Sequence, residues 1–181
     1  MTKLTLASLG LALALVGAAC SGSDGHAGTE PVGEAPASTV VVDPQDAAPL
    51  TEFKMFDGSS ATFADYGGKP LVVNFWASWC PSCVAEMAAA FKPAQESVGA
   101  EVAFLGMNIQ DDRDDALRLI EETGVQFDLG DDPLGDLYVE FGGIGMPFTV
   151  FIDADGRVVE QHNGPLTEAQ LLDMIEEAFS T

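Results

Sequence analysis

The stretch Lys69-Pro70-Leu71-Val72-Val73-Asn74-Phe75-Trp76-Ala77-Ser78-Trp79-Cys80-Pro81-Ser82-Cys83 decides how this chain is read. Gly67-Gly68 and Lys69-Pro70 break whatever precedes it. Leu71 to Trp76 is then a nearly continuous apolar run of strand length, the pattern of a strand buried on both faces. Cys80 follows at once and opens an Ala-, Glu- and Met-rich segment that reads as a helix to about Ser97. Pro81 suits the first helical position, where its missing N–H costs no hydrogen bond. Pro93 lies inside the helical pattern and is expected to kink or end it.

A C-x-x-C at the junction of a buried strand and a helix has a chemical reading. The free N–H groups and dipole at a helix N-terminus stabilise an anion. A thiolate is the anion here, so the pKa of Cys80 is expected below the free value of ~8.5. Cys80 is then the nucleophile in thiol–disulfide exchange. Cys83 lies one turn on, on the same face, and resolves the mixed disulfide. Trp79 sits where it can shield the sulfur or contact a substrate.

Working outward, Thr51 to Phe56 and Ser60 to Phe63 flank Asp57-Gly58, a hairpin signal. After the cysteine helix come a strand over Glu101 to Ile109 and a helix over Asp112 to Thr123 closed by Gly124. A short strand is expected around Val125 to Leu129 and a helix over Leu134 to Phe141. Pro147 to Asp153 and Arg157 to His162 form a hairpin around Asp155-Gly156, and Thr167 caps an amphipathic helix to Phe179. Strands alternating with helices predict an α/β domain over residues 50–181, with a central sheet covered on both faces.

The quoted segment resembles the active-site region of the thioredoxin superfamily, and more closely its extracytoplasmic branch of TlpA, ResA and DsbE (CcmG) proteins. A second matching segment, Gly143-Ile144-Gly145-Met146-Pro147-Phe148-Thr149-Val150-Phe151-Ile152-Asp153, follows about 60 residues later. The resemblance covers roughly Leu50 to Phe179. It implies a thioredoxin-like fold, a mixed sheet flanked by helices with an N-terminal β-hairpin extension. It also implies a redox disulfide between Cys80 and Cys83, and a cis Met146–Pro147 bond facing the pair. A proline supplies no N–H, which leaves the Met146 backbone free to pair with an extended substrate segment. Glu86, three residues after Cys83, matches a position where TlpA- and ResA-like proteins carry an acid that relays the Cys83 proton. Asn74 stands where thioredoxins carry a buried Asp and cannot titrate in its place. Two departures mark this chain. Pro81-Ser82 replaces Gly-Pro between the cysteines, and Phe148 stands where Thr usually follows the proline, which is expected to alter the substrate groove.

The implied activity is that of a thiol–disulfide oxidoreductase acting on exported proteins. The resemblance favours a reductant of the apo-cytochrome c maturation type fed by a membrane electron-transfer partner. Pro81 after Cys80 favours the alternative, an oxidant or isomerase of the DsbA type. A distant alternative is copper delivery of the Sco type, which pairs a C-x-x-x-C with a distal His. The spacing here is C-x-x-C, and His162 reads as structural. No cofactor and no metal are called for, and the acidic clusters Asp111-Asp112, Asp114-Asp115, Asp128 and Asp131-Asp132 lack EF-hand spacing and read as solvated loop and helix-start charge.

Composition bounds these readings. The 181 residues carry 29 acids against 7 Lys and Arg, a formal charge of −22. Such a polyanion repels phosphate backbones, which excludes nucleic acid as a partner class. Three cysteines are too few for a disulfide scaffold or a four-cysteine zinc site. The third, Cys20, ends an apolar run from Leu4 to Ala19 that reads as a signal peptide over residues 1–19. Small residues before Cys20 and Ser21-Gly22-Ser23 after it resemble a bacterial lipobox, although Gly17 replaces the usual aliphatic residue. This implies a lipidated Cys20, a flexible acidic tether over residues 20–49, and a domain held at the outer face of the cell membrane, with plain secretion as the alternative. His26 reads as a solvated tether residue.

Overall fold

The computed structural model of the chain describes the backbone of residues 39–40 and 47–180, with side chains over 47–180. Residues 1–38, 41–46 and 181 lie outside it, so the signal and lipidation readings, with Cys20 and His26, and most of the tether reading fall there. Among the described residues no helix is long and apolar enough to cross a membrane.

The strands are β1 (Thr39–Val40), β2 (Phe53–Met55), β3 (Ser60–Ala61), β4 (Leu71–Trp76), β5 (Ala103–Ile109), β6 (Asp128–Asp132), β7 (Phe148–Ile152) and β8 (Val158–Asn163). They form one mixed sheet in the order β1-β8-β7-β4-β5-β6-β2-β3. β4, β5 and β6 run parallel, and the remaining pairs are antiparallel. The helices are α1 (Pro81–Glu86), α2 (Lys92–Val98), α3 (Arg113–Thr123), α4 (Asp136–Glu140) and α5 (Glu168–Phe179). This is the expected thioredoxin-like architecture with its N-terminal hairpin.

β4 carries the fold because all six of its residues are buried. Val72 and Trp76 pack with Met87, Phe91, Leu171 and Ile175 from the helices on one face. Leu71, Val73 and Phe75 pack with Phe148, Val150 and Phe141 on the other. The strand's period of two divides one apolar run between two cores. Asn74 is its single polar member, pointing to the α1 face with Val72 and Trp76.

Of the two outcomes expected at Pro93, a kink and an end, the helix does not end there, and two strands depart from the sequence expectations. Met87–Phe91 forms a π-helical stretch between α1 and α2. A regular α-turn would aim the Ala89 carbonyl into the Pro93 ring, and the wider turn lets the helix run on to Val98. β6 lies three residues later than expected, over an acidic run with little strand propensity. Pairing with β5 on one side and β2 on the other makes it a strand. Gly130 allows this approach, because a Cβ there would meet the Met107 sulfur at 2.5 Å. Finally, Thr39–Val40 adds a strand beside β8, inside the stretch read as tether. The β-branched run Thr39-Val40-Val41-Val42 is the local signal for it.

Candidate active site

The site forms where the chain leaves the carboxyl ends of the parallel strands β4 and β5, the usual place for function in such sheets. Ala77 to Cys80 links β4 to α1 and is pinned from the β5 side. The Ser78 N–H donates to Asp111 Oδ2 at 2.6 Å, and the Ser78 hydroxyl to Asp111 Oδ1 at 2.6 Å. Asn108 Nδ2 supports the same carboxylate at 2.9 Å. Burial pushes the Asp111 carboxyl up, but the hydrogen bonds from Asn108 and Ser78 outweigh it and hold it below its ordinary value. The indole N–H of Trp79 donates to the Gln110 carbonyl at 3.0 Å, leaving most of the ring exposed. Gln110 is the one non-glycine with positive φ, +48°, among the described residues.

Cys80 is the N-cap of α1, and Pro81 takes the first helical position. The Cys83 N–H donates to Cys80 Sγ at 3.2 Å. Cys80 and Cys83 are joined as a disulfide. Only Cys80 reaches solvent, at 5% against 0% for Cys83. An incoming thiolate or disulfide therefore meets Cys80, as the helix-start argument expects.

Glu86 is 3% exposed, one helical turn beyond Cys83 and on the same face. Its Oε1 accepts the Leu166 N–H at 2.6 Å and its Oε2 accepts Asn74 Nδ2 at 3.4 Å. Asn74 Nδ2 also donates to Thr149 Oγ1 at 3.2 Å. Burial pushes the Glu86 carboxyl up to about 8, outweighing both hydrogen bonds. It is therefore mostly a neutral acid at pH 7, able to give a proton as well as take one.

Opposite the cysteines, the Met146–Pro147 bond is cis. Pro147 is buried, with its carbonyl accepting the Gly164 N–H at 2.9 Å. Met146, together with Trp79, Cys80, Tyr138 and Val139, lines a largely apolar groove of about 570 Å³. Pro147 does not line it. Phe148 does not reach it either. It is fully buried, stacked on Phe75 at 5.6 Å and edge-on to Tyr138 at 5.7 Å. Its link to the groove is through Tyr138, which lines it, because the alternation of β7 turns Phe148 into the core.

The structure thus brings Trp79, Cys80, Cys83, Glu86 and Met146 to one end of the sheet. Sequence reasoning missed Gln110, Asp111 and the buried Asp132, whose carboxylate accepts the Leu137 and Tyr138 N–H groups at 3.3 and 2.9 Å. Asp111 and Asp132 were read as solvated charge, yet they organise the groove walls. Position at the ends of β5 and β6 is the signal that marks them. His162 is buried, its pKa lowered by that burial, with no partner among the described residues. No group of three or more metal-ligating side chains is found among the described residues.

A profile of the family described as Redoxin matches residues 38–175. The chain is 38% identical over 96 residues to the thiol:disulfide interchange protein DsbE homolog of Paracoccus denitrificans, covering 52% of this chain and 51% of that protein. It is 36% identical over 115 residues to the thiol:disulfide interchange protein HelX of Rhodobacter capsulatus, covering 61% and 63%. The chain thus spans between half and two thirds of the length of these curated relatives. Among solved structures, it is similar to DsbF of MTB in its mixed oxidised and reduced forms. The TM-score is 0.65 at 27% identity, covering 71% of this chain and 95% of that one. It also shares its fold with a thiol:disulfide interchange protein of the thioredoxin family from Chlorobium tepidum. There the TM-score is 0.62 at 24% identity, covering 77% and 99%.

Proposed function

The chain belongs to the redoxin family, and from that premise we propose that it is an extracytoplasmic thiol–disulfide oxidoreductase working through Cys80 and Cys83. The observation that carries this is the asymmetric pair: one sulfur at the rim of an apolar groove, the other sealed beneath it beside a buried acid. In the reducing direction the Cys80 thiolate attacks a substrate disulfide, forming the mixed disulfide and releasing one substrate thiol. Cys83 then loses its proton and attacks Cys80 Sγ, releasing the second substrate thiol and leaving the Cys80–Cys83 bond. Regeneration runs in reverse. A donor thiolate attacks Cys80 Sγ, the Cys80–Cys83 bond breaks toward Cys83, and Glu86 protonates the departing sulfur. Its raised pKa lies near that of a thiol, which is the match that proton transfer between the two requires.

The apolar groove beside Cys80 suits an extended, apolar protein segment flanking a cysteine. Trp79 and the Met146 backbone form its contacts, with Pro147 fixing the chain behind Met146. The reading we favour is a reductant of exported thiols, of the apo-cytochrome c maturation type, fed by a membrane electron donor. It is supported by relatives named as DsbE and HelX interchange proteins. Residues 1–19 as a signal peptide, a lipidated Cys20 and a tether to residue 49 would hold the domain at the outer membrane face. Mass spectrometry of the membrane-bound protein tests that arrangement. The second reading, an oxidant or isomerase, is favoured by Pro81.

The equilibrium reduction potential of the Cys80–Cys83 pair, measured in the full chain, separates the two. A value near the ~−270 mV of thioredoxin is expected for the reductant, and a value near the ~−120 mV of DsbA would replace it with the oxidant. Absence of any reversible two-electron couple would remove the oxidoreductase reading altogether.

A further inference from the structure

The residue between the cysteines that the disulfide chemistry leaves unused is Ser82. Its hydroxyl lies 3.4 Å from Cys80 Sγ and 3.5 Å from the carbonyl oxygen of Met146. Its hydroxyl thus contacts both the attacking sulfur and the backbone acceptor offered to an incoming chain. A hydroxyl carries one proton. A disulfide sulfur has no hydrogen to give, so Ser82 is the donor to both neighbours and shares one proton between two long contacts.

We propose that Ser82 is a catalytic residue whose hydroxyl switches acceptors with the redox state. This deepens the oxidoreductase reading and rests on it. In the oxidised protein the better acceptor is the Met146 carbonyl, because a disulfide sulfur is neutral and weakly basic. Reduction places a thiolate on Cys80. Hydrogen bonds to an ionised acceptor are roughly twice as strong as neutral ones, so the proton turns to Cys80 Sγ. The thiolate gains a second donor beside the Cys83 N–H. The Met146 carbonyl loses this hydroxyl partner and becomes free for a substrate backbone N–H, in the manner of strand addition. The form that must bind a disulfide substrate is then the form with an open acceptor. The oxidised form, which must release its product, has that acceptor covered. Electrons and atoms are those of the exchange itself, and Ser82 neither gains nor loses its proton over the cycle.

The chain contains a single Met-Pro step, Met146–Pro147. Labelling Met with carbonyl 13C and Pro with 15N therefore gives one carbon–nitrogen correlation, which reports on this carbonyl alone. The expected result is an upfield move of the Met146 carbonyl on reduction of the wild type, as its hydrogen bond is lost. In Ser82→Ala the resonance starts at the unbonded position and moves much less, and in Ser82→Thr the full movement returns. In parallel, the pH midpoint of Cys80 alkylation should rise by roughly one unit in Ser82→Ala, the scale of one hydrogen bond to a charged group. Ser82→Thr should restore it. A reversible couple whose carbonyl movement and alkylation midpoint are both the same in Ser82→Ala as in the wild type overturns the switch alone. Absence of a couple in the wild type overturns the oxidoreductase reading and the switch with it.

Discussion

The Leu166 N–H donates to Oε1 of Glu86 across 2.6 Å, joining residues 80 apart in the chain. The bond fixes the acid in the α1 helix to the loop that leads into α5. It holds the carboxyl buried behind Cys83 instead of letting it turn to water.

That burial makes stability depend on pH. The Glu86 carboxyl stands at about 8 in the folded protein and near 4.5 in the unfolded chain. Between those values the native state holds the extra proton, so this group lowers stability as pH rises, by up to about 1.4 kcal/mol per pH unit. Glu86→Gln should therefore gain stability relative to the wild type between pH 5 and pH 8, with the gain levelling off above about 8. Urea unfolding of the oxidised proteins across that range measures it. A difference that does not change with pH would falsify the buried-acid assignment.

The same acid should matter in turnover when Cys83 departs. Glu86→Gln is expected to slow reduction of the Cys80–Cys83 disulfide by dithiothreitol by about 10²-fold near pH 6.5, the low end for general acid catalysis. The gap should narrow above pH 9, where the wild-type acid has already lost its proton. Stopped-flow tryptophan fluorescence follows the reaction, with Trp76 and Trp79 as reporters. A gap that stays constant across pH would assign Glu86 a structural role only.

Exposure predicts the order of attack. Cys80 meets solvent and Cys83 does not, so Cys83→Ser should accumulate a mixed disulfide with a peptide disulfide substrate, whereas Cys80→Ser should form none. Intact-mass spectrometry under non-reducing conditions distinguishes them. Adduct on Cys83 in the Cys80→Ser protein would reverse the assignment of nucleophile.

Asp111 anchors Ser78 and is held below its ordinary pKa by the hydrogen bonds it accepts. Such a depressed carboxyl stabilises the fold above its unfolded pKa of about 3.9 and loses that effect as pH falls through its lower folded value. Asp111→Ala should cost about 1–2 kcal/mol at pH 7, after allowance for its partial exposure, and less at pH 3. Thermal unfolding at the two pH values checks this. An equal cost at both would mean that packing, not the carboxylate, holds the loop.

Much of this was legible in the sequence because the signals are local. The apolar run Leu71 to Trp76 required a strand buried on both faces, Asp57-Gly58 and Asp155-Gly156 required turns, and Cys80-Pro81 required a helix start. Gly124 closes α3 in the left-handed conformation that a glycine C-cap supplies. What was not legible depends on neighbours distant in sequence. β6 is a strand because β5 and β2 flank it, not because Asp128 to Asp132 favour extension. Phe148 follows the proline in sequence but is turned inward by the register of β7 on β4.

The sequence by itself determined the two-faced central strand, the placement of Cys80 and Cys83 at a helix start, and the acid one turn behind them. Each is a matter of period and spacing along one chain. Tertiary structure alone decided that Asp111 and Asp132 are anchors rather than solvated charge, and that Glu86 is a neutral acid. It also decided that Ser82 touches Met146. Those states depend on desolvation and on hydrogen-bond partners 33, 80 and 64 residues away for Asp111, Glu86 and Ser82, and folding brings such partners within reach only once both faces of the sheet are covered.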